Sequence, residues 1–461
     1  MQHYRIALTG TGAETVVVAL EQLHGQITVM QLCLDAAELA AVAASGSIDA
    51  GIIVTDTADV TLSLLERFHE AEVATVVLSD VATERERCFY LGAEVAATDI
   101  TAEQLANLIV RRCDAGNFGP KTHKDVSFTD ADMDRFFEPL PPVEEAPLNS
   151  EAEEADVPEG RVITFWGPSG APGTTTLAVN AAAEYALAGK RTLLVDADSY
   201  ASSVAAMLGL LAESSGLSQL CRLAELGNLN TETFGQAIEQ VRFKAHHLDV
   251  LSGIPHPSRW PELRATALQQ VFDMARELYD VIVIDTASSL EQDEELSFDV
   301  VVPQRNAATL RSIEVADTLI AVGAADAIQL PRMLKHSTDL LELVHDETEV
   351  KFVLNKVQAA SVGGQPEEQL RYSWARFGPG DHPDITLFPA ADKTLHYALL
   401  TGQTLAEAGP DHALRAALQK LLGLPATTAK SRWRRRFTGT ETDQTQRTPG
   451  RAKRRGRRAK H

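Results

Sequence analysis

Apolar residues in the first 115 positions fall into five short runs, Tyr4 to Leu8, Ile27 to Leu32, Gly51 to Thr55, Ala74 to Leu78 and Val95 to Ala97, separated by stretches with helical spacing. Short apolar runs alternating with helices predict parallel strands, and five of them in this length predict a flavodoxin-like doubly wound sheet. The pattern resumes after residue 159. Val162, Ile163 and Phe165 read as a buried strand, Thr175 to Ala188 as an Ala-rich helix, and Thr192 to Val195 as a second strand that stops at Asp196 and Asp198. A third strand, Val281 to Ile284, stops at Asp285 and Thr286. Parallel strands ending on carboxylates put them at the carboxyl edge of the sheet, where such sheets bind ligands.

Between the two patterned regions, residues 116–158 are rich in Asp, Glu and Pro and predict an extended acidic linker. Met133, Phe136 and Phe137 inside it are either incidental or a short docking motif. The chain has 461 residues, 44% apolar, with a formal charge of −22. Residues 430–461 hold thirteen Lys or Arg against Glu441 and Asp443, a net +11, so the remainder carries −33. The division expected is therefore 1–115, the linker 116–158, a second domain 159–425 and a basic tail 426–461. Basic runs such as KSRWRRRF and RAKRRGRRAKH bind polyanions, either nucleic acid without sequence preference or an anionic membrane surface. The other readings of the tail are a solubilising extension or a partner for the acidic linker.

Four scattered cysteines, Cys33, Cys88, Cys113 and Cys221, have no metal-ligand spacing and predict reduced thiols in a cytoplasmic protein. No signal-peptide pattern opens the sequence, and no apolar run reaches the ~18 residues of a membrane span. His246 and His247 lack a second ligand pair and are expected at the surface or in a loop.

The candidate chemistry lies in RVITFWGPSGAPGTTTLAVN, residues 161–180. A phosphate-binding loop, GxxxxGK[ST], cradles phosphate with backbone N–H groups at a helix start, adds a lysine for the β/γ-phosphates and a hydroxyl for Mg²⁺. Registered on Gly173, the pattern puts Thr174 at the lysine, Thr175 at the magnesium hydroxyl and Pro168 at the first glycine. The cradle itself would be Ser169, Gly170, Ala171, Pro172, Gly173, Thr174, Thr175 and Thr176.

From SGAPGTTT, LLVDADSYASSVAAMLGL, YDVIVIDTASSL, KFVLNK and LFPAADKTLHYALLTGQTLAE, residues 159–423 resemble the ParA/MinD group of P-loop ATPases, SIMIBI-type proteins with a mostly parallel α/β sheet. Within that group the chain is similar to the CpaE/TadZ branch. The resemblance implies ATP or ADP with Mg²⁺ as ligands, Asp198 polarising the attacking water, Asp196, Asp285 and Thr175 around the metal, and Asn355 at the base. A strand-end Asp also caps a following helix, but three of them at the family's positions favour the nucleotide site. The family's KGGxGKT loop has two lysines, and Ser169 and Thr174 stand in their places here. Loss of one preorganised charge typically costs ~10²- to 10³-fold in phosphoryl-transfer rate. Slow turnover is therefore expected unless another cation substitutes, with Arg161, Lys190 and Arg305 as candidates.

The first domain, with its FYLGAEVAATDI segment, is similar to response-regulator receivers. Only Asp56 and Ser79 match the receiver's working residues; Thr9, Gly10 and Thr11 stand where an acidic pair belongs, and Asp99 lies near the lysine position. A docking or dimerisation role is expected of it rather than phosphorylation. The resemblance implies a nucleotide-responsive scaffold, a homodimer with a protein partner, positioning a pilus, secretion or conjugation machine at the pole or the inner membrane face. The alternatives are a working ATPase that partitions DNA or selects a division site, and a pseudo-ATPase platform in which Trp166, Pro168 and Pro172 fill the loop.

Overall fold

Along each inner strand of the first domain, alternate side chains enter two different cores, because helices cover both faces of the sheet. The computed structural model describes residues 3–23, 25–116, 159–170, 173–210, 214–243, 245–292, 303–382, 384–390 and 392–425. Strands β1 (Tyr4–Gly10), β2 (Ile27–Leu32), β3 (Ala50–Val54), β4 (Ala74–Leu78) and β5 (Glu94–Ala96) form a parallel sheet in the order β2-β1-β3-β4-β5, the flavodoxin-like winding. Ile52, Val54, Val76 and Leu78 pack with Leu20, Leu105 and Ile109 on one face. Ile53 and Val77 pack with Leu39, Leu65 and Phe68 on the other. Gly10 makes the closest strand approach: its φ is +104°, and a Cβ there would lie 2.1 Å from the Val54 carbonyl oxygen, so only glycine fits. As an edge strand, β2 leaves Met30 and Leu32 largely exposed.

The second sheet is built from β6 (Arg161–Trp166), β7 (Thr192–Ala197), β8 (Glu239–Phe243), β9 (His246–Leu251), β10 (Val281–Thr286), β11 (Thr318–Ala324), β12 (Glu349–Val357) and β13 (Ile385–Pro389). Its order is β13-β12-β11-β6-β10-β7-β9-β8, parallel except for the β8/β9 hairpin. His246 and His247 therefore open the strand next to the sheet edge instead of lying in a loop, with His246 half-buried and His247 at the surface. The helix Thr174–Leu187, read from sequence one residue later at each end, lies in a core with Ile163, Phe165 and Val283, together with Leu414 and Leu418 of the helix Ala413–Leu421. Val162, Leu193, Val195 and Ile282 face the opposite side and meet Leu268 and Phe272.

The two sheets meet through polar contacts. Ser63 donates to Glu225 Oε1 at 2.8 Å, Thr266 donates to Glu66 Oε2 at 3.1 Å, and Arg264 donates to Ser63. Arg87 donates to the carbonyls of Val60 at 2.9 Å and Leu226 at 3.1 Å. The linker and the tail lie outside the described residues, as do Met133, Phe136 and Phe137.

Candidate functional site

Strand register determines which carboxylates can meet. β10 pairs with β7 so that Asp285 stands beside Asp196, and with β6 so that Asp285 stands beside Phe165. In-register residues of neighbouring parallel strands point to one face, so both carboxylates share a site under the helix that follows β6. Each is 1% exposed.

The two are treated differently by their surroundings. Asp196 Oδ2 accepts from the backbone N–H of Ser203 and of Val204, both at 3.0 Å, and Oδ1 from Asp198 N–H at 3.2 Å. It thus caps the short helix Val204–Met207. One oxygen of Asp198 accepts from Tyr200 N–H at 2.8 Å and Ala201 N–H at 2.9 Å, closing a turn. Asp285 has no such duty, since both of its oxygens are buried without a hydrogen-bond partner. The Thr175 hydroxyl is near enough to favour its anion without completing a hydrogen bond. Burial first, and then the charge of Asp196, raises the Asp285 carboxyl well above the usual range. Burial, and then Asp198, pushes Asp196 up to about 7, against its backbone N–H donors. A buried pair of acids with an orphan at its centre is the donor set that a hard cation completes, and Mg²⁺ typically takes one or two carboxylates and leaves its other positions to water and phosphate. Among the described residues no group of three or more His, Cys, Asp or Glu could hold a metal ion by itself.

The loop begins at Gly167 and closes at Gly173, whose φ of +111° starts the helix without a side-chain cap. Ser169 and Gly170 are exposed, Thr174, Thr175 and Thr176 half-buried, and Ala171 and Pro172 lie outside the described residues. The Ser203 hydroxyl donates to Thr175 Oγ1 at 3.5 Å. Asn355, expected at a base, packs against the loop: a Cβ on Gly173 would lie 2.2 Å from its Nδ2. Gly173→Ala is expected to cost about 1–3 kcal/mol, the scale of a strained backbone position, in urea unfolding. Gly235→Ala, on an open helix with nothing within 4 Å, should be neutral or stabilising; equal effects would deny the close approach of Asn355 to Gly173.

Of the three cations read as substitutes, none is on the loop. Arg161 opens β6 at the opposite edge and pairs with Glu349 at 3.0 Å. Lys190 sits near Asp280, which precedes β10. Arg305 reaches the Asp198 turn, where it donates to Ser199 Oγ at 2.9 Å and stacks 3.7 Å from the Tyr200 ring centroid. Among the described residues, Arg332, which the sequence did not single out, touches the loop: it donates to the Ser169 carbonyl at 3.1 Å. Trp166 does not fill the loop: it is fully buried in a core with Leu319, Met333 and Phe352. A cavity of about 720 Å³ at the junction of the two sheets, lined by Arg87, Tyr90, Asn228, Arg276 and Arg311, shares no residue with this site.

In the first domain, Asp56 accepts from Thr11 N–H at 3.1 Å and from the Thr11 hydroxyl at 3.2 Å. Thr11 thus engages both oxygens of the Asp56 carboxylate. Ser79 is buried and accepts from Val81 N–H at 3.3 Å. No helix of the described residues is long and apolar enough to cross a membrane.

No curated protein matches the chain. Among solved structures it is similar to the cell division ATPase MinD of Pyrococcus furiosus, at 19% identity over 57% of this chain and 97% of that one, with a TM-score of 0.43. It is also similar to a ParA family ATPase from Chlorobium tepidum TLS, at 16% identity over 57% of this chain and 98% of that one, TM-score 0.44. A third is the septum site-determining protein MinD complexed with Mg-ADP from Pyrococcus horikoshii, at 19% identity over 57% and 94%, TM-score 0.43. The segment that carries the loop, Thr175 and both buried carboxylates is, over residues 160–297, similar to the family described as AAA domain.

Proposed function

We propose that the chain is a nucleotide-responsive scaffold of the ParA/MinD kind, in the CpaE/TadZ branch, whose second domain binds ATP or ADP with Mg²⁺. The observation that carries this reading is Asp285, a carboxylate buried at the carboxyl end of β10 with neither oxygen bonded, beside Asp196 and Thr175. Structural aspartates in folded proteins are paired or capped; an orphan at this depth is kept for a ligand. Thr175, Asp285 and Asp196 would hold the metal, and the backbone N–H groups of residues 169–171 and 173–176 would cradle the phosphates, Pro172 having none. Bound there, Mg²⁺ supplies the positive charge that neutralises phosphate oxygens. Asp198, with one oxygen fixed by its turn, orients a water; Arg305 fixes that turn through Ser199.

Because Ser169 and Thr174 carry no charge, binding outlasts turnover, and nucleotide occupancy sets conformation or dimer state. The degenerate receiver-like domain docks a protein partner or a second copy, with Asp56 already engaged by Thr11. The basic tail adds attraction to nucleic acid or anionic lipid. Together these suit a factor that positions a polar or membrane-associated machine such as a pilus, secretion or conjugation apparatus.

Calorimetry with Mg²⁺ and ATP or ADP, alongside phosphate release, tests the reading. Binding with little release, lost in Asp285→Ala, is the expected result. Rapid turnover abolished by Asp198→Ala would replace the scaffold with a working ATPase, and no binding to the wild type would leave a partner platform without nucleotide.

A further inference from the structure

The strand order places an unexpected helix beside the phosphate loop. β11 neighbours β6, so the helix that follows it, Gln329–Leu341, begins next to the loop at the end of β6. Asp326 Oδ1 fixes that start by accepting from the N–H groups of Ile328 and Gln329, each at 2.8 Å. Two side chains from the first helical turn then reach the loop. Arg332 Nη1 donates to the Ser169 carbonyl at 3.1 Å and lies 3.2 Å from where a Cβ on Gly170 would stand. Gln329 Nε2 lies 2.7 Å from the same point, and its Oε1 is buried without a hydrogen-bond partner in a residue only 9% exposed.

A guanidinium carries five N–H donors in a planar fork, and one is engaged here by a neutral carbonyl. Among the described residues no partner engages the others, and the guanidinium lies beside Ser169, which stands where the family resemblance expects lysine. An unsatisfied amide at the same corner is a group that a bound ligand or its water would complete. Resting on the nucleotide reading above, we infer that Arg332 is the phosphate-contacting cation of this site, donated in cis by the helix after β11, with Gln329 as its polar neighbour. Its role is phosphate binding in the ground state, which leaves the slow turnover expected above unchanged; Arg161, Lys190 and Arg305 are not part of it.

The competing role is a brace that holds the loop through the Ser169 carbonyl and touches no ligand. Calorimetry on the full chain with Mg²⁺ separates the two, using ATP, ADP and millimolar adenosine against wild type, Arg332→Gln and Arg332→Lys, with the melting temperature of each ligand-free protein. A charge-assisted hydrogen bond to phosphate predicts that Arg332→Gln weakens ATP about 10- to 100-fold. Adenosine affinity and the ligand-free melting temperature should stay unchanged, and Arg332→Lys should recover most of the loss. Wild-type protein that binds ATP while Arg332→Gln binds it equally well overturns the inference and leaves the nucleotide reading intact. So does a variant that melts lower and loses ATP and adenosine alike, which is the signature of a brace. Wild-type protein that binds no nucleotide overturns both.

Discussion

Arg415→Ala is expected to destabilise the protein by about 3–5 kcal/mol, the cost of leaving one buried charge without its partner. The Arg415 and Glu184 side chains are 5% and 3% exposed. Arg415 donates to both oxygens of Glu184, with Nη2 to Oε2 at 2.9 Å, and Nη1 donates to the Pro410 carbonyl at 2.6 Å. Gln419 Nε2 adds a donor to Glu184 Oε2 at 2.6 Å. The pair joins the helix Ala413–Leu421 to the helix Thr174–Leu187, inside the core formed with Leu414 and Leu418. Truncating the arginine strands Glu184 in that core. Removing both charges together, as Glu184→Leu with Arg415→Met, should cost far less, because the penalty of burying two ions disappears along with their attraction. Urea unfolding of the two variants beside the wild type checks this. A single-variant loss below ~1 kcal/mol would place the pair in water.

Asp285→Asn is expected to reverse its rank against the wild type according to whether ligand is present. The carboxyl of Asp285 is held well above its usual range by burial and by Asp196, so the folded state binds protons that the unfolded chain has released. Stability from this group is complete below the unfolded value, near pH 4, and is lost as pH rises through the folded value. Asp196, at about 7, moves in the same direction. Without divalent cation, wild type and variant should melt together at pH 4, and the variant should melt higher at pH 8. With Mg²⁺ and ATP at 100 times the dissociation constant, ligand adds about 2.7 kcal/mol to the wild type alone. Parallel melting curves across that pH range, or equal ligand shifts in both proteins, would remove Asp285 from the site.

The first five strands were legible to within two residues because β3 and β4 are apolar on both faces, and short buried runs between helices have few other readings. Asp196 and Asp285 were legible as strand ends, but their pairing was not, since strand order and register are tertiary facts. The same reason hides Arg332: nothing near residue 332 in the sequence announces that β11 lies beside β6. Asn355 was placed at a base by resemblance, whereas its contact with Gly173 depends on how β12 leans over the loop. The β8/β9 hairpin escaped because its residues are polar enough for a loop and stay ordered by pairing at the sheet edge.

The helix Ala265–Leu278 touches the helix Leu62–Glu70 of the first sheet on one side, while Ala267, Leu268 and Val271 pack with Ile282 and Ile284 of β10 on the other. β10 carries Asp285. Any free energy passed through that helix is reciprocal: if a partner on the first domain tightens nucleotide binding by some factor, nucleotide must tighten the partner by the same factor. On the proposed reading, the junction would be a thermodynamic exchange point at which a protein partner of the first domain and a nucleotide on the second each report the other's presence.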